Sequence, residues 1–205
     1  MEKKKIKQLD LMGSSSCDLK CSYCYIIKNC TFFNYDKIVK EAWESGSYLN
    51  ILKQVFEKLD SDPKLLEDLQ LWGGEPTLHM PSIAKRGKEL GELFPNITHF
   101  LIPTNWYQTD MNALVDFIYD LDSSLTPRER PEDYLQFHIQ ASIDGPPGDF
   151  NTHGHHVSWE RYKQNFDDFC ELLEKKGKFK NTTVVFASCG TSTQHLILKN
   201  LKTYD

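Results

Sequence analysis

Apolar and polar positions along the 205-residue chain follow two alternating rhythms. Short runs with every second residue apolar read as strands; runs with apolar residues three and four apart read as helices. Ile6 to Leu11 reads as a first strand, ending in Gly13, Ser14, Ser15 and Ser16. Asn34 to Trp43 and Tyr48 to Leu59 read as helices, the second with Leu49, Leu52, Val55, Phe56 and Leu59 at helical spacing. Asp68 to Trp72 is a second strand running into Gly73 and Gly74. Ser82 to Phe94 reads as a helix stopped by Pro95, and His99 to Ile102 as a strand followed by Pro103, Thr104 and Asn105. Met111 to Leu121 is a helix with Leu114, Val115, Phe117, Ile118 and Leu121 on its apolar side. After a polar loop, Asp122 to Asp133, the alternation of Leu135, Phe137, Ile139 and Ala141 predicts a strand from Leu135 to Ile143. Asp144, Gly145, Pro146 and Pro147 then signal a turn. Trp159 to Lys176 reads as a helix, Thr182 to Ser188 as a strand, and Gln194 to Leu201 as the start of another helix.

Five strand–helix units in succession predict an α/β fold, a parallel sheet with helices packed outside it. In such sheets chemistry gathers beyond the C-terminal ends of the strands. Four candidate segments follow strands here: Cys17 to Cys24, Gly73 to Thr77, Thr104-Asn105, and Ser142 to Gly145.

Composition narrows the class. With 40% apolar and 12% aromatic residues the chain is neither disordered nor a coiled coil. Its 24 basic and 29 acidic residues leave a net charge of −5, which argues against a general nucleic-acid binder or a binder of anionic membranes. The one basic run, Lys3 to Lys5, reads as a solvated tail. No apolar stretch approaches a membrane span, and no hydrophobic segment follows the N-terminal lysines as in a signal peptide, so the expected location is cytoplasmic. Thiols stay reduced there, and the spacing of the six cysteines must have another explanation than disulfides.

Cys17, Cys21 and Cys24 form C-x3-C-x2-C directly after the first strand. Three soft thiolates in so short a span can serve one metal centre. A structural zinc site takes four protein ligands, and no fourth stands at a convincing spacing: Cys30 is nearest, Cys170 and Cys189 are distant. Three cysteines suit a cubane iron–sulfur cluster with one iron left open to a ligand. Zinc-bound or incidental cysteines remain the alternative.

With Tyr23 before the last cysteine, this segment resembles the defining C-x3-C-x-aromatic-C motif of the radical S-adenosylmethionine superfamily. The resemblance implies a partial (β/α) barrel and a [4Fe-4S] cluster on Cys17, Cys21 and Cys24. It also implies S-adenosyl-L-methionine as cofactor, cleaved reductively to a 5′-deoxyadenosyl radical that takes a hydrogen from the substrate. Tyr23 would lie near the adenine. Gly73-Gly74-Glu75-Pro76 matches the motif that binds the amino group of the methionine moiety. Thr104 and Asn105 match part of a Thr-Asn-Gly segment, with Trp106 in place of the glycine. A tryptophan does not take positive φ cheaply, so the loop is expected either to turn differently or to send Trp106 into the substrate cavity; an ordinary packing role is the alternative. Ala141 to Pro146 is similar to the Ser-Ile-Asp-Gly-Pro segment of sulfatase-maturase-like, peptide-modifying members, which gives Ser142 a hydrogen bond to the cofactor. In those members an arginine at the start of the next helix pairs with the methionine carboxylate, and Arg161 stands there.

The expected function is therefore a radical enzyme acting on a peptide or protein side chain. It would draw electrons from a donor such as flavodoxin or ferredoxin. The alternatives are a radical enzyme for a small molecule or nucleoside, and a non-catalytic iron–sulfur or zinc-binding subunit. The superfamily core has six strand–helix units and this chain shows five, without the cysteine-rich C-terminal domain of the maturase-like members. An abbreviated enzyme, a fragment, or a partner subunit completing the barrel would each account for that. His153, His155 and His156 read as a polar surface loop. Cys30, Cys170 and Cys189 read as small buried apolar residues. Arg128, Arg130 and Asp133 read as solvated loop charges.

Overall fold

The computed structural model describes residues 5–21, 24, 35–128, 134–142 and 158–176, and the backbone of 182–187. Five strands form one sheet: β1 (Gln8–Ser14), β2 (Asp68–Gly73), β3 (His99–Thr104), β4 (Gln136–Ser142) and β5 (Thr182–Ala187). They lie side by side in chain order, and every neighbouring pair is parallel. Helices α1 (Asp36–Ser45) and α2 (Ser47–Lys58) follow β1; α3 (Met80–Ala84) and α4 (Gly87–Leu93) follow β2. Helix α5 (Met111–Ser123) follows β3 and α6 (Trp159–Lys175) follows β4. The expected α/β class with a parallel sheet is what the protein adopts.

Strand order without a reversal has a structural consequence. Right-handed crossovers between successive neighbours bring all the helices to one face of the sheet. Burial shows which face. Leu11, Leu69, Leu71, Phe100, Ile102, Phe137 and Ile139 alternate along their strands and are almost completely buried. They meet the apolar sides of the helices: the Phe100 ring is 5.2 Å from Phe117 of α5 and 5.4 Å from Phe137 of β4. The intervening residues, among them Asp10, Gln70 and His138, are half-buried or exposed. A sheet built this way has no switch point between strands, so its functional end is the row of strand C-termini.

Within the described residues the predicted elements match the structure with shifts of a few residues, and four departures are instructive. The expected single helix Ser82 to Phe94 is two, α3 and α4, interrupted at Lys85-Arg86. Arg86 donates from Nε to the Trp43 carbonyl and from Nη2 to the Glu44 carbonyl, so it ties the break to the end of α1. Gly87 lets α4 approach α5: a Cβ there would stand 3.0 Å from the Asp120 side chain and 3.2 Å from the Phe117 carbonyl. On α2 the apolar set is narrower than expected: Leu49, Leu52 and Phe56 are buried, while Val55 and Leu59 are 38% and 46% exposed. Arg128 is no solvated charge; it is half-buried and donates to the Ile97 carbonyl at 2.5 Å. Lys5 is exposed but paired with Glu67 at 2.5 Å.

Tyr23, Cys30, Arg130, Asp133, the segment from Ile143 through the three histidines His153, His155 and His156, Cys189, and the helix expected from Gln194 lie outside the described residues. Among the described residues no helix is long and apolar enough to cross a membrane.

Candidate functional site

The turn leaving β1 is shaped by a carboxylate that the sequence reading did not single out. Asp36, the first residue of α1, accepts at Oδ1 from the Ser14 hydroxyl (2.7 Å), the Ser15 amide (3.0 Å) and the Ser16 amide (3.2 Å). Its Oδ2 lies 3.0 Å from Nε2 of His79. Partial burial pulls the Asp36 carboxyl upward, but the Ser14 hydroxyl, His79 and the Ser16 amide outweigh it and hold the group below its ordinary range. The available sequence signal was an acid opening the helix after a serine run, a pattern that favours capping contacts.

Beside that turn comes Gly73-Gly74-Glu75. Gly73 has φ 149°, and a Cβ on it would stand 1.8 Å from the Ser14 carbonyl oxygen. A Cβ on Gly74 would stand 2.3 Å from the Ser16 carbonyl oxygen. The pair of glycines therefore lets the end of β2 press against the turn after β1. The Gly74 amide donates to Ser14 O (3.0 Å) and the Glu75 amide to Ser16 O (2.7 Å), so both amides serve the scaffold.

The Glu75 side chain is 2% exposed and ties β2 to β3. Oε1 accepts from the Thr77 amide (3.1 Å), the Thr77 hydroxyl (2.6 Å) and the Thr104 hydroxyl (2.8 Å). Oε2 accepts from the Asn105 amide (2.6 Å). Thr109, also buried, stands 2.8 Å from Thr77 Oγ1 and 3.3 Å from Thr104 Oγ1 and closes the cluster. Loss of hydration on burial pushes the carboxyl up to about 7, although Asn105, Thr77 and Thr104 all pull the other way. Pro76 starts a short 3₁₀ turn, Pro76–His79, that the Glu75 side chain caps through the Thr77 amide. Both carboxylate oxygens of Glu75 are thus engaged within the protein, as are the Gly74 and Glu75 amides.

Cys17, Cys21 and Cys24 are half-buried, and the Cys24 amide donates to the Cys21 carbonyl at 3.0 Å. Cys17 Sγ accepts from the Leu19 amide at 3.4 Å and lies 3.8 Å from Asn105 Nδ2. Burial pushes its thiol up to about 12; the Leu19 amide opposes this, and the charges of Glu75, Asp18 and Cys21 add to it. Asn105 joins the two halves of the site. Its backbone amide holds Glu75, its Nδ2 donates to Asp18 Oδ1 at 2.6 Å, and its Oδ1 accepts from the Tyr107 amide at 2.9 Å. Among the described residues no three His, Cys, Asp or Glu side chains are grouped as ligands of a single metal ion.

Trp106 has the packing role that was the alternative, yet takes the backbone angle its type disfavours. It takes φ 66°, the conformation a glycine would supply, and is fully buried, so the loop does turn there at a tryptophan. Its ring faces α6, 5.2 Å from Phe169 and 6.5 Å from Phe166. Its amide donates to Thr104 Oγ1 (2.9 Å) and its carbonyl accepts from Asn165 Nδ2 (2.7 Å). Packing and hydrogen bonds hold a backbone angle that costs an L-residue about 1 kcal/mol or more.

The remaining predicted residues are less closely joined. Arg161 opens α6 behind a Ser158 cap; it is exposed, donates from Nε to the Tyr107 carbonyl (3.2 Å) and lies over the Tyr107 ring at 5.1 Å. It therefore leans on the loop that follows Asn105. Ser142 ends β4, half-buried and paired in register with Ala187. No side-chain hydrogen bond connects it to the Glu75–Asn105 group among the described residues. Cys170 is half-buried on α6 rather than buried. No protein-family model matches the chain, and no curated protein matches it.

Proposed function

We propose that the protein is a radical S-adenosylmethionine enzyme, with Cys17, Cys21 and Cys24 holding a [4Fe-4S] cluster at the C-terminal end of the sheet. The observation that carries this reading is the joining of three strand ends around the first cysteine. Asn105 from the end of β3 reaches both Cys17 Sγ and Glu75, and the Gly-Gly-Glu turn from β2 is bonded to the serine turn that leads into Cys17. The donor set fits such a cluster: three half-buried cysteines, with N–H groups of Leu19 and Asn105 directed at the Cys17 sulfur. Each cysteine of a cubane holds a different iron, so the three need not meet at one point.

When bound, the cluster and S-adenosylmethionine supply a one-electron reductive cleavage that yields a carbon radical. This chain's residues do other work. The Cys17–Leu19 turn presents a sulfur that already receives hydrogen bonds. The Asp36 and Glu75 carboxylates fix the backbone on either side of it. Arg161 stands on the Tyr107 loop with guanidinium N–H groups beyond the one bonded to Tyr107 O, which suits a carboxylate partner. A peptide or protein side chain is the substrate favoured by the Ser-Ile-Asp-Gly-Pro resemblance, with electrons from a flavodoxin- or ferredoxin-type donor.

Anaerobic reconstitution tests the reading. The expected result is about four irons and four sulfides per chain, and 5′-deoxyadenosine when S-adenosylmethionine and a reductant are supplied. Cys21→Ala should lose the cluster. Stoichiometric zinc with no cofactor cleavage would overturn the proposal in favour of a binding subunit.

A further inference from the structure

The turn that ends at Cys17 is held from two sides. From β2, the Gly74 and Glu75 amides donate to the Ser14 and Ser16 carbonyls. From α1, a single oxygen of Asp36 accepts from the Ser14 hydroxyl and from the Ser15 and Ser16 amides. The amide and the carbonyl of Ser16 are thus both engaged one residue before the first cysteine. One carboxylate oxygen reaches three donors only in a narrow range of orientations, so the group that holds the other oxygen governs the turn.

That group is His79. Its Nε2 lies 3.0 Å from Asp36 Oδ2 and makes no hydrogen bond elsewhere. An unprotonated Nε2 there would set its lone pair against the carboxylate, so the ring carries its proton on that side. The pair is sheltered, with the histidine side chain 13% and the aspartate side chain 23% exposed. It is also fixed from both ends. His79 closes the 3₁₀ turn Pro76–His79 that the Glu75 side chain caps. Asp36 opens α1, whose far end is gripped by Arg86 at the Trp43 and Glu44 carbonyls, with Ser82 donating to Glu44 Oε1 at 3.2 Å. The motif at the end of β2 therefore reaches the cysteine turn twice, directly through its amides and indirectly through His79 and Asp36.

We propose that His79 is a positioning residue for Cys17: by fixing Asp36 it sets the serine turn that presents the first cysteine. On the reading above, on which the purpose of this device rests, the thiol so presented is a cluster ligand. His79 acts on the sulfur only through Asp36.

The test follows the Cys17 thiol in the metal-free, reduced full chain, by anaerobic alkylation with N-ethylmaleimide and peptide-resolved mass spectrometry. Cys170, half-buried on α6, is the internal control for general loosening. His79→Leu should speed Cys17 alkylation about 10-fold or more through opening of the turn, and leave Cys170 within about twofold. His79→Gln, whose amide can reach Asp36 as Nε2 does, should restore the wild-type rate to within about threefold. In an Asp36→Asn background the same His79→Leu change should add less than about twofold, because its route is gone. After reconstitution, His79→Leu should surrender iron to a chelator several-fold faster than wild type, and His79→Gln should not. His79→Asn keeps a polar side chain but withdraws the donor from Oδ2; it should behave like His79→Leu and decides the matter if that variant does not fold. An unchanged Cys17 rate, an equal rise at Cys170, failure of His79→Gln to rescue, or a full effect in the Asp36→Asn background would each overturn the inference. Wild-type protein that takes up no iron would overturn the proposed function, and the alkylation pattern would still decide whether His79 holds the turn.

Discussion

Glu75 offers a direct test of how burial and hydrogen bonding compete at this site. Four donors converge on its carboxylate, which would favour the charged form, yet its near-complete burial lifts the group from 4.5 to about 7. An acid whose value is raised on folding binds more protons folded than unfolded. Its contribution is therefore complete below the ordinary value near 4.5, declines as pH rises toward 7, and is lost above that. The interval corresponds to about 3 kcal/mol. Glu75→Gln has nearly the same shape and cannot ionise. Its amide NH2 opposes the Asn105 N–H or the threonine donors, a cost that does not depend on pH. Urea unfolding of cluster-free wild type and variant, in parallel from pH 4.5 to 8, isolates the titration. The stability advantage of the wild type should shrink by about 3 kcal/mol across that range. A difference constant to within about 0.5 kcal/mol would refute the reasoning. A difference that grows with pH would mean that the four donors outweigh burial.

Further outcomes follow from the same contacts. Gly73→Ala and Gly74→Ala place a Cβ 1.8 Å and 2.3 Å from carbonyl oxygens, so each should lower stability by about 3 kcal/mol or more; a thermal melt within a degree or two of wild type would contradict the close approach. At position 106, glycine and alanine both lose the buried indole, at about 3–5 kcal/mol, but only alanine keeps the positive-φ penalty. Trp106→Gly should thus be about 1 kcal/mol more stable than Trp106→Ala, and the reverse order in urea titrations would count against the turn described. Asp36 has a lowered value, so its contribution is present above its ordinary range and disappears as pH falls through the folded value. Asp36→Asn should cost about 1.5–3 kcal/mol near neutrality and nearly nothing in strong acid, read from acid and urea unfolding; an equal cost at both ends would show that its charge is immaterial.

The fold was readable wherever one face of an element decides its burial. Leu69 and Leu71, Phe100 and Ile102, and Phe137 and Ile139 alternate in the sequence and alternate in burial. The run from Ser82 to Phe94 carried no comparable signal of its break, because the break depends on the side chain of Arg86 reaching α1 and on Gly87 meeting α5. At the site, the chain positions of Cys17, Gly73, Thr104 and Ser142 after strands were legible from turn residues and spacing. The threonine partners of Glu75 were not. Thr77 has an ordinary composition and lies 27 positions from Thr104 and 32 from Thr109 along the chain, and only the parallel register of β2 and β3 makes these hydroxyls neighbours. For Trp106 the packing alternative holds, but its positive φ was not legible from intrinsic preference, since Phe169 and Asn165, which hold it, lie on a helix far along the chain.

The different tasks of the three carboxylates follow from where backbone donors are left over. The glycine turn consumes the Gly74 and Glu75 amides on Ser14 and Ser16, while the amides of Ser15 and Ser16 turn toward Asp36. Glu75 then finds its donors in threonines and the Asn105 amide, and Asn105 has only its side chain left for Asp18. Asp18 Oδ2 is left buried without a hydrogen-bond partner next to the first cysteine, as is Ser15 Oγ in the turn after β1. The same acids raise the Cys17 thiol, so burial together with Glu75 and Asp18 disfavours a thiolate until a positive centre compensates it. Metal loading should accordingly release protons and depend on pH, because the Cys17 thiol must ionise against burial and that field.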